Sequence, residues 1–260
     1  MQQLISIFVF AVVLNSCSKV VNINLNDASP KIVIEGNVTN AAGPYQVKIT
    51  KTVNFSAENI FPAVSGAVVT ITDNTNSTSN TLSEAYPGIY VTSTLQGIAG
   101  HSYTLSVSTE GNTYTSLSIM PRPVPFDSIS FSHTARFGGT DINAVANFQD
   151  PAGLGNYYSF TEIVNGQQSD RIQSYEDRLS DGRYIRRELS IDTLKAGNVV
   201  IVQMNCIDKG TYNYISTLRQ VTGGNNFNSV SPANPVSNIS NGALGYFSAH
   251  TVQTRTAIVY

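Results

Sequence analysis

The strongest constraint on the fold of this chain is a period of two. From residue 31 onward, short runs alternate apolar and polar side chains and stop at turn residues. "YQVKITKTV" sets Val47 and Ile49 against Lys48 and Thr50, and "SGAVVTITD" sets Val69 and Ile71 against Val68 and Thr70. "HSYTLSVSTEGNTYTSLSIM" alternates Tyr103, Leu105 and Val107, turns at Glu110-Gly111-Asn112, and returns through Leu117 and Ile119. Neighbouring side chains of a strand point to opposite faces, so this alternation builds sheets with a buried side. Runs spaced roughly 8–15 residues apart with turns between them predict a sandwich. The expected fold is all-β, with an Ig-like β-sandwich in the first half.

Composition supports this reading. Of the 260 residues, 41% are hydrophobic, enough for a globular core. Charged residues make up 12%, about half the usual ~25%. Ser, Thr, Asn, Gly and Tyr fill the surface instead, a palette for strands and turns rather than long helices. The net charge is −2, with no basic stripe to neutralise phosphates, which argues against a nucleic-acid partner.

The prolines in "MPRPVPFDS", residues 120–128, make a stiff connector. A domain boundary is expected near residue 123, giving an Ig-like sandwich over 31–122 and a second β-rich domain over 123–260. The rival is an edge crossover inside one large sandwich. In the second half, "NYYSFTEIV" puts Tyr158, Phe160 and Val164 on one face. "NVVIVQMNCI" is apolar on both faces and predicts a central strand buried on each side. One α-helix is expected near 210–221, where Tyr214, Leu218 and Val221 recur at i, i+4 and i+7. Asp208 is the candidate cap and Gly223-Gly224 the stop. The segment 225–241 is a long loop, of the kind that is functional or disordered.

The N-terminus carries an apolar run from Leu4 to Leu14, too short for a membrane span of roughly 20 residues. It fits the core of a signal peptide, about 7–15 residues, although "MQQ" before it has no Lys or Arg. "LNSC" resembles the bacterial lipoprotein box. The resemblance implies that residues 1–16 are removed and that Cys17 is lipidated, with an N-acyl chain such as palmitate. Residues 17–30 then form a tether. Each buried CH₂ holds the anchor by roughly 0.8 kcal/mol, so two or three chains attach firmly. After Cys17 no acidic residue occurs until Asp27, which leaves the periplasmic and surface faces of the outer membrane both open. The second cysteine, Cys206, reads as a small buried hydrophobe.

Candidate chemistry is sparse. His101, His133 and His250 have no His, Cys or carboxylate partner at metal-ligand spacing, so no metal is expected. Asp170, Glu176, Asp177 and Asp181 cluster with arginines at 171, 178, 183, 186 and 187. That reads as an exposed charged hairpin. A glycosidase would need two facing carboxylates there. No nucleophile elbow or phosphate loop occurs, and neither an enzyme nor a cofactor is expected. In "GALGYFSAH" the aromatics Tyr246 and Phe247 are candidates to stack a ligand, with Phe227 from the long loop. The alternative is that they pack on the helix.

Two stretches carry a family resemblance. One is "KIVIEGNVTN" with "SGAVVTITDN", "GIYV" and "GHSYTLSVSTEGNTYTS". The other is "IDKGTYNYISTLRQ" with "SNISNGALGYFSAHTV". Together they resemble the DUF4249 family of Bacteroidetes envelope lipoproteins, over essentially the whole mature chain. The resemblance implies an outer-membrane accessory lipoprotein, encoded near TonB-dependent receptors, and supplies no catalytic residues. The expected role is non-catalytic assistance to a TonB-dependent transporter by binding substrate or receptor. A structural or adhesive surface protein is the alternative, and a carbohydrate-active hydrolase is the third reading.

Overall fold

The period of two is realised as sheet in the computed structural model, which describes residues 29–54, 57–136, 139–222 and 234–260. In chain order the strands are β1 (Ile32–Thr39), β2 (Gln46–Lys51), β3 (Val68–Asp73), β4 (Thr78–Thr81), β5 (Ser83–Tyr86), β6 (Ile89–Val91), β7 (Ser102–Thr109) and β8 (Asn112–Ile119). The second half adds β9 (Phe126–Arg136), β10 (Gly139–Gln149), β11 (Tyr157–Val164), β12 (Gln167–Gln168), β13 (Gln173–Glu176), β14 (Tyr184–Leu194) and β15 (Val199–Ile207). Helix α1 (Lys209–Thr222) and the long strand β16 (Leu244–Ile258) complete it. The fold is all-β with one helix among the described residues, and no described helix is long and apolar enough to cross a membrane.

β16 joins the two halves. Its first part runs parallel to β1, from Val33 opposite Leu244 to Thr39 opposite His250. Its second part runs antiparallel to β15, from Cys206 opposite Thr251 to Val199 opposite Ile258. One large sheet therefore runs β12-β11-β15-β16-β1-β2-β6-β5, with β13 also on β11. Two smaller sheets, β4-β3-β7-β8 and β14-β10-β9, complete two sandwiches against it.

Each sandwich has its own core. Ile34, Val47, Ile71, Tyr103 and Leu105 anchor the first, and Phe126, Phe148, Phe160, Leu189 and Val202 the second. The change of core falls across the proline connector, between Met120 and Val124. Residues 31–122 do not fill the first core alone. Ile239, Ala243, Phe247 and Ala249 enter it from the far end of the chain. A fully buried Phe such as Phe247 stabilises by about 2–3 kcal/mol, so this late segment is a working part of the first sandwich.

Local chemistry explains how β16 and β8 sit. Gly245 has φ +93°, and a Cβ there would lie 2.0 Å from the Ile34 carbonyl oxygen. Only glycine lets β16 approach β1 at this point. In the β7–β8 hairpin, Glu110 and Gly111 turn with φ 52° and 76°, the mirror-type turn that matches strand twist. This fixes Ser118 opposite Tyr103 and Ser116 opposite Leu105. The serines consequently face inward and Leu117 and Ile119 outward. Ser118 Oγ donates to Asp208 at 2.6 Å and accepts the Ala249 N–H at 2.8 Å. Asp208 is the helix cap, accepting the Thr211 N–H at 2.8 Å, while its other oxygen also takes the Ile119 N–H at 3.2 Å. One carboxylate thus pins α1 to the first sandwich.

Candidate functional site

The site grows from the parity of the large sheet. On β16, Phe247 and Ala249 enter the first core, so Tyr246, Ser248 and His250 point the other way. On β15, Val202, Met204 and Cys206 enter the second core, which turns Gln203 and Asn205 outward. β11 adds Ser159 and Thr161 to this outer face, and β1 adds Asn37 and Thr39. The middle of the sheet is therefore largely apolar on one side and polar on the other, with the Glu35 carboxylate of β1 opposite Tyr246.

Helix α1 roofs this polar face. Tyr212 packs on Tyr157 of β11 with ring centroids 5.0 Å apart, and Tyr214 stacks on Tyr246 of β16 at 4.7 Å. The helix straddles β15 on these two aromatic contacts and buries only Thr211 and Ile215. A cavity of about 420 Å³ is left between helix and sheet. Burial of so many polar groups is costly unless they are bonded. Gln203 donates to Asn205 at 3.0 Å, and Asn205 donates to Ser159 at 3.1 Å. Ser248 Oγ lies 3.0 Å from His250 Nδ1. Thr211, 2% exposed, has an Oγ1 with no hydrogen-bond partner among the described residues. Burial holds the His250 imidazole down to about 4, so the ring is neutral at physiological pH. Burial also pushes the Tyr214 phenol up to about 12.

A second groove of about 740 Å³ adjoins the first and shares Ile172 and Ile215 with it. Arg171, Arg219 and Asp170 stand on its walls, with Leu218 and Ile191.

Elsewhere Asp150, Asp177 and Asp181 bring one oxygen each within 4.8 Å of one another. These carboxylates are already engaged by the loop they hold. Asp177 accepts the N–H groups of Gly155 and Asn156, Asp181 that of Gly153, and Asp150 that of Gly182. Asp150 also accepts the buried Tyr158 hydroxyl. Burial raises the Asp150 carboxyl above its ordinary range, and the two neighbouring carboxylates add to it. The geometry is that of a pinned turn.

Of the aromatics expected to stack a ligand, Tyr246 lines the cavity and also packs on the helix. Phe247 is corrected: it is fully buried in the first core, because strand alternation turns it to the opposite face from Tyr246. Phe227 and Cys17 lie outside the described residues. Cys206 is a free, buried thiol beneath the sheet. His101 pairs with Asp73 at 2.8 Å and His133 meets the Tyr260 carbonyl at 3.2 Å, both away from the cavity. Sequence reasoning weighed His250 only as a metal ligand and did not single out Asn205 or Ser159. Their one signal was the polar parity of strands whose other face is largely apolar, Glu162 of β11 excepted.

No curated protein matches the sequence. Among solved structures, the chicken interferon gamma receptor alpha chain aligns at 10% identity over 68% of this chain and 89% of that one. Its TM-score is 0.20, too low to carry any argument. A family described as "Domain of unknown function (DUF4249)" matches residues 18–256, which span both sandwiches and the roofed cavity. The chain belongs to the DUF4249 family.

Proposed function

We propose that this chain is a non-catalytic outer-membrane lipoprotein that assists a TonB-dependent transporter, chiefly by binding the transporter's substrate. The observation that supports binding is the roofed cavity, with its polar, uncharged floor and an unpartnered buried hydroxyl at Thr211. Such concave sites with a few convergent polar groups are the usual ground for small ligands. Membrane attachment rests on the short apolar leader and the "LNSC" motif. The adjoining groove, with Arg171 and Arg219, is a surface on which the receptor could dock.

Deletion of the gene should lower uptake of one nutrient, and affinity purification from membranes should recover a TonB-dependent receptor. Unchanged uptake together with altered cell attachment would favour a structural or adhesive role instead. Cys17→Ala should move the protein from the membrane to the soluble fraction. Retention in the membrane would sink the lipid-anchor reading.

A further inference from the structure

We propose that the cavity beneath α1 binds one uncharged pyranose ring through side-chain hydrogen bonds; this deepens the substrate-binding reading and rests on it.

Charge is the first ground. None of the side chains lining the cavity carries a formal charge at neutral pH, His250 included. A charged ligand would give up part of its hydration there and find no counter-charge among the lining side chains. An uncharged ligand meets no such penalty.

The second ground is the mixture of donors and acceptors. Asn205 and Gln203 each offer an amide oxygen and an NH₂ group, while Ser159, Ser248 and Thr211 offer hydroxyls. Their mutual bonds leave capacity unused, most plainly at Thr211 Oγ1. Ligand hydroxyls both donate and accept, so a row of them can complete such a mixed set. Ile172 and Ile215 meanwhile give the C–H face of a sugar ring an apolar wall.

Backbone availability separates this ligand from a peptide. β15 is paired on both sides, by β11 and β16, while β16 pairs with β1 over 244–250 and with β15 over 251–258. The N–H groups of Phe247, Ala249 and Val252 are taken by the side chains of Asn238, Ser118 and Asn40. No ladder edge is open for an extended peptide to join, which is how sheets commonly take peptides. Recognition must come from side chains. Size permits it as well: a cavity of about 420 Å³ falls within the range of small-ligand sites.

The test uses the full chain with glucose, galactose, mannose and N-acetylglucosamine as neutral probes. Glucuronic acid and glucosamine are the charged controls. Saturation-transfer NMR and titration calorimetry read binding, and a thermal melt confirms folding. At least one neutral probe should saturate the protein, and the charged controls should bind at least tenfold more weakly. Asn205→Leu should weaken binding at least tenfold, and the milder Ser248→Ala should do so measurably with the melt unchanged. The proposal is overturned if no neutral probe saturates, which would leave a water-filled cavity. It is equally overturned if a charged control binds as tightly, or if both variants bind like the parent. Impaired uptake in a deletion strain whose protein ignores these sugars would remove the ligand class and leave the accessory role. Sugar binding with normal uptake would do the reverse.

Discussion

Glu162 should make this protein lose stability as pH rises above neutrality. It sits on β11 with the parity of Tyr158 and Phe160, so it points into the second core. It is 0% exposed, and neither carboxylate oxygen has a hydrogen-bond partner among the described residues. Burial drives its carboxyl up from 4.5 to about 8, the Asp192 carboxylate adds to the shift, and the Asp192 backbone offsets only part of it. The folded state therefore holds a proton that the unfolded chain gives up near 4.5. Stability is greatest below the unfolded value and is lost as pH rises through the folded one. At 1.36 kcal/mol per unit, the shift amounts to roughly 5 kcal/mol in all, of which about 2 kcal/mol falls between pH 6.5 and 8.

His250 acts in the opposite sense. Its value falls from 6.5 to about 4, so its contribution is present above 6.5 and lost as pH drops through 4. Between about 4.5 and 6.5 the two slopes cancel, and above 6.5 Glu162 acts alone. Urea unfolding followed by circular dichroism at pH 5, 6.5, 7.5 and 8.5 measures this. The parent should hold a plateau and then weaken by roughly 2 kcal/mol towards pH 8. Glu162→Gln, isosteric with the protonated acid, should stay flat above 6.5. Asp150, also raised, is common to both proteins, so their difference isolates Glu162. Parallel pH profiles for parent and variant would refute the reasoning.

Three further outcomes follow from the packing. Gly245→Ala should cost about 3 kcal/mol or more, since it adds a backbone clash to an unfavourable φ; a melting temperature within a degree or two of the parent would contradict this. Asp208→Ala should cost roughly 2–4 kcal/mol, because it removes the helix cap and orphans Ser118, and hydrogen exchange should show α1 opening first. A fragment of residues 31–122 should fail to unfold cooperatively, because β1 loses its parallel partner and the core loses Phe247; a sharp thermal transition for that fragment would show the C-terminal strand to be dispensable.

Much of the fold was legible locally. The buried residues of β3, Val69 and Ile71, and those of β7, Tyr103, Leu105 and Val107, are the ones whose alternation marked them. The helix appeared where its 3.6-residue period put it, with Asp208 as its cap. The site was harder to read. Tyr246 could be picked out beside its glycines, but its neighbour Phe247 was grouped with it although alternation sends the two to opposite faces. Glu162 lies on the same face as Tyr158, Phe160 and Val164, so a buried carboxyl was already implied by parity and passed over.

What the sequence determined by itself was the set of strands, the faces they bury and the single helix. Each depends on neighbours two to four residues apart, and local sterics and solvation suffice to specify them. Only the tertiary structure decided which strands meet. β1 and β16 are separated by some two hundred residues yet pair in parallel, because one long strand with a glycine at 245 can serve both sandwiches. That pairing sets Ser248 and His250 beside Asn205 and Ser159 under a helix held by Asp208. The cavity is a property of pairing between distant strands, and no local pattern encodes the partner a strand will find.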